Sequence, residues 1–156
     1  MATYEGGKTA PKGRYAIVAA RFNQNVVEPL VEGAKEAFKS QGVTEEFLDL
    51  IWVPGAFEIP LVAKRLAAST KYAAVVCLGA VIRGDTDHYE YIAGEAARGV
   101  MEAGLAAGVP VIFGILTCAT EEQALDRAGG KEGNKGYDAA QAAIEMADLL
   151  QKIPGK

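Results

Sequence analysis

The sequence predicts an α/β fold, a three-layer α/β/α sandwich built on a parallel four-stranded sheet. Three observations predict it. Residues 15–20 (YAIVAA), 47–53, 73–82 (AAVVCLGAVI) and 110–116 are largely apolar runs without strict alternation, as expected of strands covered on both faces. The segments between them are long enough for crossover helices, which place helices on both sides of a parallel sheet. The chain has 156 residues, half of them hydrophobic. That is enough for one domain spanning 1–156 and too little for a second core.

Each element has its own signals. After the first strand, Val27, Leu30, Val31, Ala34, Ala37 and Phe38 recur at helical spacing, and Gly42 stops the helix. Pro29 removes a backbone donor, so regular helix is expected to begin within a residue or two of it. Pro54-Gly55 turns the chain after the second strand, and Pro60 suits the first turn of a helix running to about Ser69. Residues 73–82 are the most apolar run and should form the central strand. The loop 83–87 leads into a long helix over 88–107, with Ile92, Ala96, Val100 and Ala103 on its inner face. Thr120-Glu121-Glu122-Gln123 has the form of a capping box opening a short helix to Ala128. A glycine-rich loop over 129–136 precedes a final amphipathic helix ending near Ile153. Residues 1–13 are an extension without a core of their own, expected to pair as a short N-terminal edge strand around Tyr4.

Composition excludes several functions. The net charge of −4 and pI near 5.1 leave no basic stripe to displace counterions from phosphates, so no nucleic-acid partner is expected. No apolar run reaches membrane-spanning length and residues 1–13 are not a signal peptide, which predicts a cytoplasmic protein without membrane attachment. Cys77 and Cys118 lie in apolar stretches and read as reduced, buried thiols. Serine occurs only at Ser40 and Ser69, without a G-x-S-x-G elbow. One histidine and two distant cysteines cannot hold a transition metal. No G-x-G-x-x-G follows the first strand. Gly129-Gly130-Lys131 follows a helix and lacks the next Ser/Thr of a P-loop. Neither metal nor cofactor is expected.

Acid–base chemistry and anion binding remain. In open parallel sheets the working site lies beyond the carboxyl ends of the strands. That rule selects the loops 21–23, 54–58, 83–88 and 117–120. His88, the only histidine, sits after a strand end at a helix start capped by Thr86 or Asp87. Its side chain exchanges protons near neutrality without special tuning; the plainer reading is a surface histidine. The amides of 84–87 are placed to cradle an anion, although Asp85 and Asp87 oppose one. Arg127 offers a planar fork for phosphate, or else a solvated ion pair. Lys131 and Lys135 have the same two readings. Phe22 is placed to stack on a flat ring, or to cap the core. Glu58 opens a helix, where the dipole alone accounts for it. Phe57 and Phe113 also have core readings.

Combined, the motifs are specific. Phe22 in ARFN, residues 53–60 (VPGAFEIP), 79–91 (GAVIRGDTDHYEY), 113–117 (FGILT), 122–130 and 133–136 (GNKG) resemble the lumazine synthases. The resemblance runs from about Tyr4 to Ile153. It implies a flavodoxin-like sheet and the condensation of 5-amino-6-(D-ribitylamino)uracil with 3,4-dihydroxy-2-butanone 4-phosphate, the penultimate step of riboflavin biosynthesis. Carried onto this chain, it implies that Phe22 stacks on the uracil. Ala56, Phe57 and Glu58 would bind the ribityl chain, and Ala80, Val81 and Ile82 the pyrimidine through main-chain groups. Asp85 and Thr86, helped by Arg127, would bind the phosphate; aspartate at 85 favours a backbone role there. His88 would be the general acid–base residue, Phe113 would line the pocket and Lys135 would approach the heterocycle. It also implies a site shared between neighbouring subunits, pentamers, a sixty-subunit shell and riboflavin synthase as a possible cargo. Two other readings stay open: a flavodoxin-like module that binds a heterocycle without turnover, and a structural shell protein.

Overall fold

A computed structural model describes residues 1–155. Its central sheet has four parallel strands in the order β2-β1-β3-β4: β1 (Arg14–Ala20), β2 (Leu48–Val53), β3 (Tyr72–Ile82) and β4 (Val111–Cys118). Both faces of the middle strands are buried. Tyr15, Ile17 and Ala19 of β1 join Ala74, Val76 and Leu78 of β3 in one core with α1 (Gln24–Ser40) and α5 (Lys135–Lys152). Ala16, Val18 and Ala20 join Val75 and Cys77 in a second core with α2 (Ile59–Ala68) and α3 (His88–Ala107). This two-sided burial is why the strand sequences do not alternate. The expected sheet, its central strand and the long helix over 88–107 are all present. Burial pushes the Cys77 thiol up to about 12, so this cysteine is a packing residue.

The structure departs from the sequence reading in four places. Pro29 lies inside α1, which already begins at Gln24. The carbonyl left without its usual donor is that of Asn25, an exposed residue, where solvent can satisfy it. The short helix α4 (Glu121–Asp126) stops before Ala128 because Ala128 is drawn into a ladder with Asn134. The glycine-rich segment is accordingly a small hairpin, β5 (Ala128–Gly130) and β6 (Gly133–Asn134), with Gly129 and Gly133 at positive φ. Strand β4 also runs on to Cys118, paired with Ile82.

The fourth departure concerns the N-terminus. Residues 1–13 add no strand to the sheet of their own chain. They lie across α5 and the end of α1 instead. The Gly7 amide donates to Asp148 Oδ2 (2.6 Å), Lys152 Nζ donates to the Glu5 carbonyl (3.1 Å), and the Ala10 amide to the Gln41 carbonyl (3.1 Å). The Lys152 ammonium and then the Gly7 amide hold the Asp148 carboxyl below its ordinary range. A depressed carboxylate stabilises above its unfolded pKa, about 3.9, and loses that contribution as pH falls through the lower folded value. Hydrogen-exchange protection of the Gly7 amide should therefore be strong at about pH 6 and weaken below about pH 4. Asp148→Ala, which removes the acceptor, should lack it at both. Equal protection of variant and parent at the higher pH would show that this tether does not hold the segment.

Candidate active site

Three of the four selected loops close around one cleft. The Arg21 amide donates to the Val53 carbonyl (2.8 Å) and the Phe22 amide to the Pro54 carbonyl (3.0 Å), tying the loop after β1 to the end of β2. Residues Ala56–Glu58 form a single 3-10 turn before α2. Beyond β3, the loop 83–87 leads into α3. Between these elements is a cleft of about 550 Å³ walled by Phe22, Ala56, Phe57, Glu58, Ala80, Val81, Ile82, Thr86 and His88. Phe22 is 72% exposed and Phe57 53%, so neither ring serves the core. Asp87 holds the N-cap position without a side-chain cap bond, and Thr86 Oγ1, one residue earlier, accepts from the His88 amide at 3.3 Å. Asp85 lies on the loop but not in the cleft wall.

Asn23 was not singled out by the sequence, although it stands in this wall. It occupies the left-handed region (φ 62°), and its amide does not cap α1. It donates instead to the Ala80 carbonyl at 2.8 Å, joining the Phe22 loop to the end of β3. Asparagine is one of the few side chains that tolerate this backbone, which was the available signal. The hook thus holds the Ala80 carbonyl in place beside Val81 and Ile82 in the wall. Pro54, Gly55, Gly84, Tyr89 and Ile92 complete the lining.

The remaining expected residues are elsewhere. Phe113, Arg127 and Lys135 line a second hollow of about 430 Å³ along the outer side of β4, together with Thr117, Cys118 and Asp138. The two hollows share no residue. Arg127 ends α4, and its Nη1 donates to the Gln123 carbonyl (3.0 Å), a favourable place for a cation at a helix C-terminus. Thr120 Oγ1 accepts from the Gln123 amide (3.1 Å), while Gln123 Oε1 accepts from the Ala119 amide (2.9 Å), so the capping box closes one residue further back than expected. Lys135 opens α5, with Asp138 at 3.9 Å. The Lys135 amide donates to the Arg127 carbonyl (2.9 Å), which fixes the two cationic residues relative to each other. Lys131 faces Asp126 at 3.8 Å, away from both hollows. Burial raises the Cys118 thiol, with the nearby Arg127 guanidinium acting in the opposite sense.

Comparison with known proteins decides the family. A family model described as 6,7-dimethyl-8-ribityllumazine synthase matches residues 12–151. The chain belongs to the 6,7-dimethyl-8-ribityllumazine synthase family. Two relatives of that name, from two strains of Clostridium kluyveri, are each 50% identical over 153 residues, covering 98% of this chain and 99% of theirs. The lumazine synthase motifs thus lie on a chain matched nearly end to end, and they occupy two separate hollows.

Proposed function

We propose that each site at which this chain condenses 5-amino-6-(D-ribitylamino)uracil with 3,4-dihydroxy-2-butanone 4-phosphate is assembled from two chains. One observation carries this. Among the described residues, the cleft with Phe22 and His88 has no lysine or arginine in its wall, while the hollow with Arg127 and Lys135 has no histidine. A phosphorylated substrate needs a cation, and a proton-transfer step needs the imidazole. Neither hollow suffices alone. A neighbouring copy whose β4 side faces the cleft supplies what is missing.

In this reading the uracil stacks on Phe22 against the Val81 and Ile82 main chain. The ribityl hydroxyls meet Ala56, Phe57 and the Glu58 carboxylate. The phosphate rests at Thr86 and the backbone of Asp85, clamped by Arg127 of the adjacent copy. Phe113 closes the pocket and Lys135 approaches the heterocycle. The 5-amino group attacks the ketone, water leaves, phosphate is eliminated, and closure by the ribitylamino nitrogen releases a second water. His88 moves the protons. No step changes oxidation state or needs a protein nucleophile, so positioning and proton transfer suffice.

The outer edge of β4 supports association. It is an unpaired strand edge flanked by exposed Met101, Leu105, Met146 and Leu150, a surface that monomers seldom leave open. The oligomer proposed is a pentamer, twelve of which close a sixty-subunit shell with riboflavin synthase as its cargo, in the cytoplasm. The short hairpin after α4 favours the shell.

Mixing tests the shared site. His88→Ala and Arg127→Ala rings, dissociated together and reassembled at equal ratio, should regain about one quarter of the parental sites by random pairing. Formation of the fluorescent lumazine is the readout. No recovery in demonstrably mixed rings would place the site within a single chain. No product from the parent would reduce the protein to a binder or shell.

A further inference from the structure

The first turns of α3 expose one side to solvent and rest the other on the core through Tyr89, Ile92 and Ala93. His88, Glu90 and Tyr91 are exposed, and the first buried residue of the helix is Ala96. A helix N-terminus needs its leading amides satisfied. Here Asp87 offers no capping side chain, and Thr86 Oγ1 reaches only the His88 amide. On the exposed side the turn is gripped by Arg83. Its own amide donates to the Cys118 carbonyl (2.9 Å), so its backbone is fixed where β3 meets β4. Its guanidinium carbon lies 4.9 Å from the centre of the Tyr89 ring, and Nη2 stands 3.5 Å from Glu90 Oε1. Tyr89 is half-buried, packs on the core beneath α2 and α3, and shares the cleft wall with His88. Residues 89 and 90 directly follow His88. A hold on both sets the direction in which the His88 side chain leaves the helix.

We propose that Arg83 is the positioning residue for His88, clamping the first turn of α3 so that the imidazole stays aimed into the cleft. This rests on the proton-transfer role assigned to His88 above. An exposed ion pair of this kind adds little to stability, so its removal should leave the fold intact. Placement is more sensitive, because a shift of about 1 Å can cost up to about 100-fold in rate. Arg83 is absent from the cleft wall, and its guanidinium is engaged by Tyr89 and Glu90, which separates it from the anion-binding groups.

The test uses the assembled full chain. Arg83→Ala should lower kcat by about 5- to 20-fold, leaving both KM values within about twofold, and the loss cannot exceed that of His88→Ala. Melting temperature and assembly should not change. In the His88→Ala background the same substitution should have no further effect on kcat. Arg83→Lys should fall between, keeping the charge but not the flat stacking surface. The single histidine adds a readout independent of turnover. With selectively labelled histidine, the one pair of ring signals should shift or broaden in Arg83→Ala. Unchanged ring signals would overturn the inference whether or not lumazine is formed. An equal loss of kcat in both backgrounds would also overturn it, as would a selective rise in KM for the phosphorylated ketone, which would make Arg83 an anion ligand.

Discussion

Arg127→Ala is expected to weaken binding of the phosphorylated ketone by about 2–4 kcal/mol, roughly 30- to 700-fold in its KM. Affinity for the ribitylaminouracil should change little. The guanidinium has five N–H donors, and the structure commits Nη1 to the Gln123 carbonyl, leaving the rest of the fork for phosphate oxygens. Placement reinforces this. Arg127 ends a six-residue helix whose N-terminus is capped by Thr120, and its carbonyl holds the amide of Lys135, so little side-chain and backbone freedom is lost on binding. Arg127→Lys should recover part of the charge attraction but not the bidentate geometry, and should lie nearer to alanine than to the parent. Steady-state titration of each substrate against a saturating level of the other gives both KM values. Equal weakening for both substrates would instead mean that removing Arg127 collapses the contact between copies.

The sequence announced these residues better than it announced their grouping. Residues 15–20 and 73–82 were readable because strands buried on both faces must be continuously apolar, a signal that survives without knowledge of neighbours. Pro60 and the Thr120 cap were readable because helix starts are local. The hairpin over 128–134 was not, since strands of three and two residues rich in glycine carry no periodicity. Pro29 misled because a missing donor matters only where the orphaned carbonyl is shielded from water, and Asn25 is exposed. The N-terminal segment misled for another reason. Its tethers, Asp148 and Lys152, lie more than 140 residues away along the chain, and no local pattern points to them. The strand-end rule selected four loops, three of which wall one cleft, but it has no term for residues on the outer side of β4 or beyond α4. Phe113, Arg127 and Lys135 therefore stand apart from Phe22 and His88, a separation visible only once the strands are placed.

That separation bears on the second large effect. His88→Ala should lower kcat by roughly 10²-fold or somewhat less, at the low end of what general acid–base catalysis supplies. Two features of the site set this limit. The imidazole stands on an exposed turn in the mouth of an open cleft, so water can take its place as a proton carrier. The attacking group is an amine, already nucleophilic when neutral, which leaves the histidine to ease proton movements in the dehydration and phosphate-release steps rather than to create the nucleophile. Binding should survive, because in the proposed shared site the stacking ring, the Glu58 carboxylate and the neighbouring copy's cation all belong to other residues. KM for each substrate should therefore stay within a few-fold of the parent while kcat falls, the mark of an interaction made chiefly in the transition state. The comparison requires full progress curves for both proteins with both substrates saturating, on preparations shown to be assembled. Unchanged turnover in His88→Ala would remove the histidine from the mechanism and leave a site that works by holding two substrates together. A fall in kcat matched by loss of assembly would assign His88 to the contact between copies instead.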